Sequence, residues 1–396
     1  MKHLKFLAMW FFGATVVLTS CKKDEEVEET PTPTPAPGTV IVSSNITTNT
    51  TWSAGTIYQL GGRITVTSGA TLTIQPGTII KGEAGTGPNA TALLIARGGK
   101  LMAEGTASAP IIFTSVADEI DYTDLAAGNM ASPNLDPTIN GLWGGVIILG
   151  RAPISASSNE IQIEGIPTSD ANGLYGGNDP ADNSGTIKYI SIRHGGANIG
   201  DGNEINGLTL GGVGNGTIIE NVEVISNQDD GIEWFGGTVN VTNAVVWNCG
   251  DDAIDTDQAW SGTLDNFVVV SALGHSFELD GPEGSLSAGH TITNGSIIAT
   301  YGSNACIDLI NVDNNSIVAL SDLFFTGITA TTQRLNNVNA AGVTFDNILF
   351  NVASENLANH INGAVPAGIS AGSTPQADIN QLNWTWTYES GAMNGL

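Results

Sequence analysis

One short pattern recurs along the middle of the chain and restricts its fold more than any other feature. Asp229-Asp230-Gly231-Ile232-Glu233-Trp234-Phe235, Asp251-Asp252-Ala253-Ile254-Asp255-Thr256-Asp257, His275-Ser276-Phe277-Glu278-Leu279-Asp280 and Asn304-Ala305-Cys306-Ile307-Asp308-Leu309 align with equivalent residues 22, 23 and 30 positions apart. Short β-branched runs separated by Gly, Asn and Asp extend the pattern over 64–66, 72–74, 78–80, 93–96, 111–114, 146–149, 187–192, 218–224, 239–246 and 267–270. Such runs alone would suit a sandwich or a barrel. The period decides otherwise: about 22 residues, with short strands and tight polar turns, makes one coil of a parallel β-helix. No capped apolar stretch of 3.6-residue period appears, so the expected class is all-β. One β-helix domain is expected over residues 39–396, with loops projecting near 116–140 and 166–186.

Coils of a β-helix stack at the interstrand spacing of about 4.8 Å, and alternate residues of each strand face opposite sides. In this register Ile232, Ile254, Phe277 and Ile307 point inward. Glu233, Asp255, Glu278 and Asp308 then form one outward ladder, and Asp257 and Asp280 a second column two residues on. Asn221, Asn227, Asn243, Asn248 and Asn266 suit corners that need left-handed backbone and side-chain ladders. The Gly-rich stretch 211–216 suits a tight corner too; it lacks the Lys and the following helix of a phosphate-cradling loop.

Charge narrows the partners. The 396 residues carry 12 Lys+Arg against 39 Asp+Glu, a formal charge of −27, and are 41% hydrophobic. The composition is that of a core former, and the charge repels phosphate backbones, so no nucleic-acid partner is expected. Three cysteines in so long a chain make no disulfide framework.

The first residues are basic, and an apolar run from Phe6 to Leu18 follows, too short to span a bilayer. This is a secretion signal, residues 1–20. It ends Leu18-Thr19-Ser20-Cys21, which resembles the lipobox of bacterial lipoproteins and implies lipidation of Cys21 as the first mature residue. Lys22-Lys23-Asp24-Glu25-Glu26 is similar to the surface-export signal of Bacteroidota lipoproteins. The implied location is the outer membrane, lipid-anchored and facing the cell exterior. The Pro/Thr-rich remainder of 21–38 is a semi-extended tether of about 3 Å per residue.

The coil pattern resembles the right-handed parallel β-helices of the pectin-lyase-like superfamily. The resemblance rests on Leu72-Thr73-Ile74-Gln75-Pro76-Gly77-Thr78, on Leu101-Met102-Ala103-Glu104-Gly105-Thr106 and on Pro110-Ile111-Ile112-Phe113-Thr114-Ser115. More narrowly, the run from Gly141 to Gly150 (GLWGGVIILG) and Asp229-Asp230-Gly231-Ile232-Glu233 resemble Bacteroidota β-helix surface lipoproteins over roughly residues 55 to 390.

Carboxylates about 5 Å apart repel, so the ladder must gain a cation, take up protons or splay into solvent. Ca²⁺ accepts six to eight oxygens at about 2.3–2.6 Å. Glu233, Asp255, Asp257, Glu278, Asp280 and Asp308 are therefore the candidate metal ligands. A solvated acidic face is the competing reading. The pattern also resembles polygalacturonase-type glycoside hydrolases, through Asn227-Gln228-Asp229-Asp230-Gly231-Ile232, Gly250-Asp251-Asp252-Ala253-Ile254 and Gly274-His275-Ser276. That resemblance implies Asp251 as general acid, Asp230 and Asp252 as activators of water, and His275 as their orienting group. The family's Arg/Lys pair for a uronate has no counterpart between Asn304 and Asn315.

Trp234 alternates with Glu233 and should face inward; Trp260, in a turn, is the candidate exposed ring for a sugar. Trp384-Thr385-Trp386 is expected to cover the open end of the solenoid. Cys249 and Cys306 fall on different coils and are read as buried free thiols, and His194, His290 and His360 as structural. Two functions follow. The first is a surface lipoprotein whose acidic face binds glycan, cation or a partner protein such as an outer-membrane uptake complex, without catalysis. The alternative is a polysaccharide hydrolase or lyase using Asp230, Asp251, Asp252 and His275.

Overall fold

A computed structural model describes residues 38–198 and 205–396. The signal segment, Cys21 and the tether up to residue 37 lie outside the described residues. The fold is an all-β parallel β-helix. Its short sheet has eight parallel strands, in order Arg63–Val66, Ala92–Ile95, Val146–Leu149, Leu208–Gly211, Ile232–Phe235, Ile254–Asp257, His275–Leu279 and Asp308–Val312. A long sheet of 15 strands forms the rest of the wall, starting at Gly38–Val42 and ending at Ile369–Ala371.

The long strands bend in the middle, and the sequence shows why. Strand Gly185–Arg193 stacks its first half on Lys100–Glu104 and its second half on Ile111–Ser115. The bend falls at Tyr189, whose φ is 50°, and the same corner in later coils is held by Asn221, Asn243, Asn266, Asn294, Asp322 and Asn347, all with φ between 51° and 60°. Asparagine tolerates this left-handed backbone better than other side chains. Its amide also links coils: Asn266 Nδ2 donates to Asn243 Oδ1 at 2.7 Å, and Asn243 Nδ2 to Asn221 Oδ1 at 3.1 Å.

Inside the coils, Leu208, Ile232, Ile254, Phe277 and Ile310 stack in register within one continuous apolar core. Here the fourth repeat departs from expectation. Ile310, not Ile307, follows Phe277, so the spacing is 33 residues rather than 30. Ile307 is 64% exposed. The cause is an inserted antiparallel pair, Thr300–Tyr301 with Asn304–Ala305, which lengthens that coil.

Two segments leave the solenoid and pack on its outside. Residues 151–184 include the antiparallel pair Ile161–Gln162 and Leu174–Tyr175, and bury Ile154, Ile163, Ile166 and Tyr175 against Ile147, Leu149 and Phe235 of the short sheet. Residues 116–140 carry the helix Tyr122–Ala126, capped by Asp121, and lie against a corner where Asn248 Nδ2 donates to Pro137 O at 2.7 Å. The C-terminal segment does not close the end of the solenoid. Trp386 and Leu382 pack across the outer side of the long sheet on Ile225, Val245, Trp247 and Val268. Glu223 anchors the segment there, accepting from Thr387 N and Oγ1 at 2.9 and 2.8 Å. The apolar flank of that sheet, rather than the open end, is what these tryptophans cover.

Candidate functional site

The outer face of the short sheet changes character along its length. One column runs Leu94, Ile147, Thr209, Glu233, Asp255, Glu278, Asn311, each side by side with the next. Asp257 lies beside Phe235 in the neighbouring column, and Asp280 follows it on the next coil, its N–H donating to Thr256 O at 2.9 Å. Asn311, not Asp308, occupies the ladder position after Glu278; Asp308 is paired with His275 instead, as the longer coil requires.

This ladder is not a solvated face. Glu233 is 5% and Asp255 9% exposed. The corner that precedes the strands buries two further carboxylates. Asp230 Oδ1 accepts the backbone N–H of Asp252 at 2.9 Å, and Asp252 Oδ1 accepts the backbone N–H of His275 one coil on. Each acid thus staples its coil to the next.

Three groups of donor atoms converge within 4.8 Å: Asp230, Glu233 and Asp255; Asp252, His275 and Glu278; and Asp229, Asp230 and Asp251. In the first group Asn206 links two members. Its Nδ2 donates to Glu233 Oε2, and its Oδ1 accepts the N–H of Asp230 at 3.3 Å. Asp255 Oδ1 is buried and has no hydrogen-bond partner among the described residues. A buried acceptor without a donor is expensive, and an ionised one more so.

Burial, reinforced by neighbouring carboxylates, pushes Asp230, Glu233 and Asp255 well above the usual carboxylate range. Burial with Asp280 and Glu283 nearby raises Asp257 to about 7, and burial with Asp313 and Glu283 raises Asp280 to about 6. Burial also raises Asp308. Asp252 goes the other way. Burial alone would raise it, but the bonds it receives from His275 and Glu278 outweigh that and hold it low. The complement is seen in its partners: the Asp252 carboxylate raises His275, and it raises Glu278 to about 9, so Glu278 keeps its proton at neutral pH.

Of the residues suggested for catalysis, Asp252 and His275 meet, with His275 Nδ1 2.9 Å from Asp252 Oδ1. Asp230 and Asp252 are buried, and Asp251 is exposed. Of the ladder residues, Glu233 and Asp255 belong to one converging group and Glu278 to another, while Asp257, Asp280 and Asp308 stand outside both. At the margin the backbone N–H of Arg334 donates to Asp308 Oδ1 at 2.9 Å, and the Arg334 charge acts to lower Asp308 against its burial.

Trp260 is not an exposed ring. It is 1% exposed, stacked on Trp234 with centroids 4.6 Å apart and on His290 at 4.8 Å, and its Nε1 donates to Val239 O at 2.9 Å. The turn folds the ring into the core because the inward position beside Trp234 is filled only by Thr256 on the next coil. Trp234 is itself fully buried in the core. Cys249 and Cys306 are buried free thiols.

Asn206 and Asn311 are the site residues that the acidic pattern alone does not show. Asn206-Gly207-Leu208 sits one coil before Asp230-Gly231-Ile232, with Leu208 beside Ile232, so carrying the repeat 24 residues upstream would have found the first. No curated protein and no solved structure matches the chain. The model of a pectate-lyase-like β-helix domain matches residues 44–386, and the chain belongs to that family.

Proposed function

We propose that this chain is a lipoprotein anchored through Cys21 in the outer membrane, facing the exterior, whose acidic β-helix face binds a divalent cation. Through that cation it binds a glycan or a partner protein, such as an outer-membrane uptake complex, without catalysis. One observation carries the reading: Asp255 Oδ1 is buried without a partner among the described residues, where Asp230 and Glu233 converge on it. An all-oxygen set of buried carboxylates suits a hard cation, Ca²⁺ first, with Asp230, Glu233 and Asp255 as protein ligands and water or a ligand hydroxyl completing the shell. Asp257, Asp280, Glu283 and Asp313 extend the negative field beside it and draw cations toward the face.

A polysaccharide hydrolase or lyase working from Asp230, Asp251, Asp252 and His275 is the weaker reading. Asp230 and Asp252 spend carboxylate oxygens on backbone N–H groups of the next coil. A base that activates water needs that lone pair directed at the water. Calorimetric titration of Ca²⁺ into the chelator-stripped full chain, with melting in Ca²⁺ and in EDTA, tests the proposal. Binding heat and a raised melting temperature, both abolished by Glu233→Gln with Asp255→Asn, are expected. Absence of heat in the unaltered chain would overturn it.

A further inference from the structure

We infer that Asp252, His275 and Glu278 form a second metal site, distinct from the carboxylate group and selective for a borderline transition-metal dication, of which Zn²⁺ is the first to test. The donor set differs in kind. It joins one imidazole nitrogen to two carboxyl groups, all within 4.8 Å of one another. Imidazole draws Zn²⁺, Co²⁺ and their neighbours, whereas Ca²⁺ and Mg²⁺ prefer oxygen alone.

The donors stand close enough to close on such an ion with a small side-chain movement. His275 Nδ1 and Asp252 Oδ1 are 2.9 Å apart. Two donors each about 2.1 Å from a tetrahedral Zn²⁺ lie about 3.4 Å apart, so binding would open the spacing of this pair by about half an ångström. Among the described residues the Asp252 carboxylate is the one group within ion-pair reach of Nδ1, so the ring is already turned toward the donor set.

The surrounding groups hold the donors in place. Asp252 is fixed by the His275 backbone N–H on one side and donates its own N–H to Asp230 Oδ1 at 2.9 Å. Glu278 Oε1 accepts from Asn311 Nδ2 at 3.2 Å, and Asn311 accepts in turn from Asn336. Outer partners of this kind orient ligands and tune affinity. Access is one-sided. The Asp252 side chain is 2% exposed and that of His275 23%, so an ion enters past the imidazole and keeps open positions toward solvent. Of the described histidines, His194, His290 and His360 are buried, and only His275 reaches the surface.

The site is independent of the Ca²⁺ reading, and the experiment separates them. Zn²⁺ is titrated calorimetrically into the untagged, chelator-stripped full chain, and Co²⁺ is added in parallel while its visible absorption is recorded. The expected result is a Zn²⁺ affinity that falls at least about tenfold in His275→Ala and in Glu278→Gln but is unchanged in Glu233→Gln. Nitrogen-ligated Co²⁺ bands are expected in the unaltered chain and should vanish in His275→Ala. Unchanged Zn²⁺ affinity in His275→Ala, or no Zn²⁺ heat in the unaltered chain, would overturn the inference. Should His275→Ala fail to fold, the Co²⁺ spectrum of the unaltered chain decides: bands of an all-oxygen site alone sink the proposal. Loss of Ca²⁺ binding with Zn²⁺ binding intact would count against the first site only.

Discussion

Without metal, this fold should lose stability as pH rises through the range where most proteins are steady. Asp257 gives the clearest magnitude. Burial, then Asp280 and Glu283, move its carboxyl from 3.8 to about 7. In the unfolded chain that group releases its proton near its ordinary value; in the folded chain it holds the proton until near neutrality. Between the two, the folded state binds more protons than the unfolded one, so stability falls with rising pH, by about 1.4 kcal/mol per unit for a fully differing group. Three units give about 4 kcal/mol, and partial solvent access at Asp257 brings this to about 2–3 kcal/mol. Asp280, raised to about 6, and Glu278, raised to about 9, act in the same direction, the latter carrying the loss beyond neutrality. The assay is thermal melting of the full chain in EDTA at steps from about pH 5 to about pH 9, repeated in Ca²⁺. The EDTA series should fall steadily. The Ca²⁺ series should fall less, because a ligand of the folded state stabilises it and its charge offsets the repulsion among the neighbouring carboxylates. Asp257→Asn should flatten the EDTA slope and melt higher than the unaltered chain above about pH 7. An EDTA series that is flat or rises between about pH 5 and pH 8 would refute the reasoning, since solvated carboxylates have no such slope.

Trp260→Ala should destabilise the domain by about 3–5 kcal/mol in urea unfolding, through loss of the ring between Trp234 and His290, and leave Ca²⁺ affinity unchanged. A ring that instead served a ligand would show the opposite pair of results. Glu223→Gln leaves the buried Arg193 guanidinium, 3.9 Å from Glu223, without its countercharge. It should cost about 3–5 kcal/mol and expose the C-terminal segment, seen as faster limited proteolysis near Trp386.

The solenoid was legible because its period is metered by backbone register: Ile232, Ile254 and Phe277 recur at 22 and 23 residues, as the pairing requires. The fourth repeat misled because Ile307-Asp308 imitates Phe277-Glu278, while the inserted hairpin displaces the true partner by three positions. The inserted turn has a local mark, Gly302-Ser303 between Tyr301 and Asn304, but that mark does not say where the coil resumes. Trp260 was misread for a related reason. Its position in a turn suggested exposure, but the space it fills is set by Thr256 standing beside Trp234, a contact between coils. The docking of Trp386 on Trp247 and under the Arg193 guanidinium joins residues far apart in the chain, and no spacing rule reaches that far. The acids themselves were visible, but their burial was not.

Residues 151–184 stand beside the buried acids, and that burial is what distinguishes this face from a row of charges. Leu94, Ile147 and Leu149 lie under the excursion, in one apolar cluster with Ile154, Ile163, Ile166, Tyr175 and Phe235. The acids begin at Glu233, on the same coil as Phe235, where the cover ends. Its rim continues over them: Tyr175 Oη donates to Gln258 Oε1 at 2.9 Å, Gln258 Nε2 donates to Glu283 Oε2 at 3.2 Å, and Glu164 lies close enough to raise both Glu233 and Asp257. Neighbouring unit charges about 4 Å apart in open water repel by only about 1 kcal/mol, and salt weakens even that. Such a row would have little reason to hold a cation against hydration. Buried as they are, the same carboxylates strongly disfavour ionisation unless a proton or a cation shares the space. The proposed cation binding should therefore depend on the excursion as well as on the acids, and loosening that segment should weaken it even with every carboxylate in place.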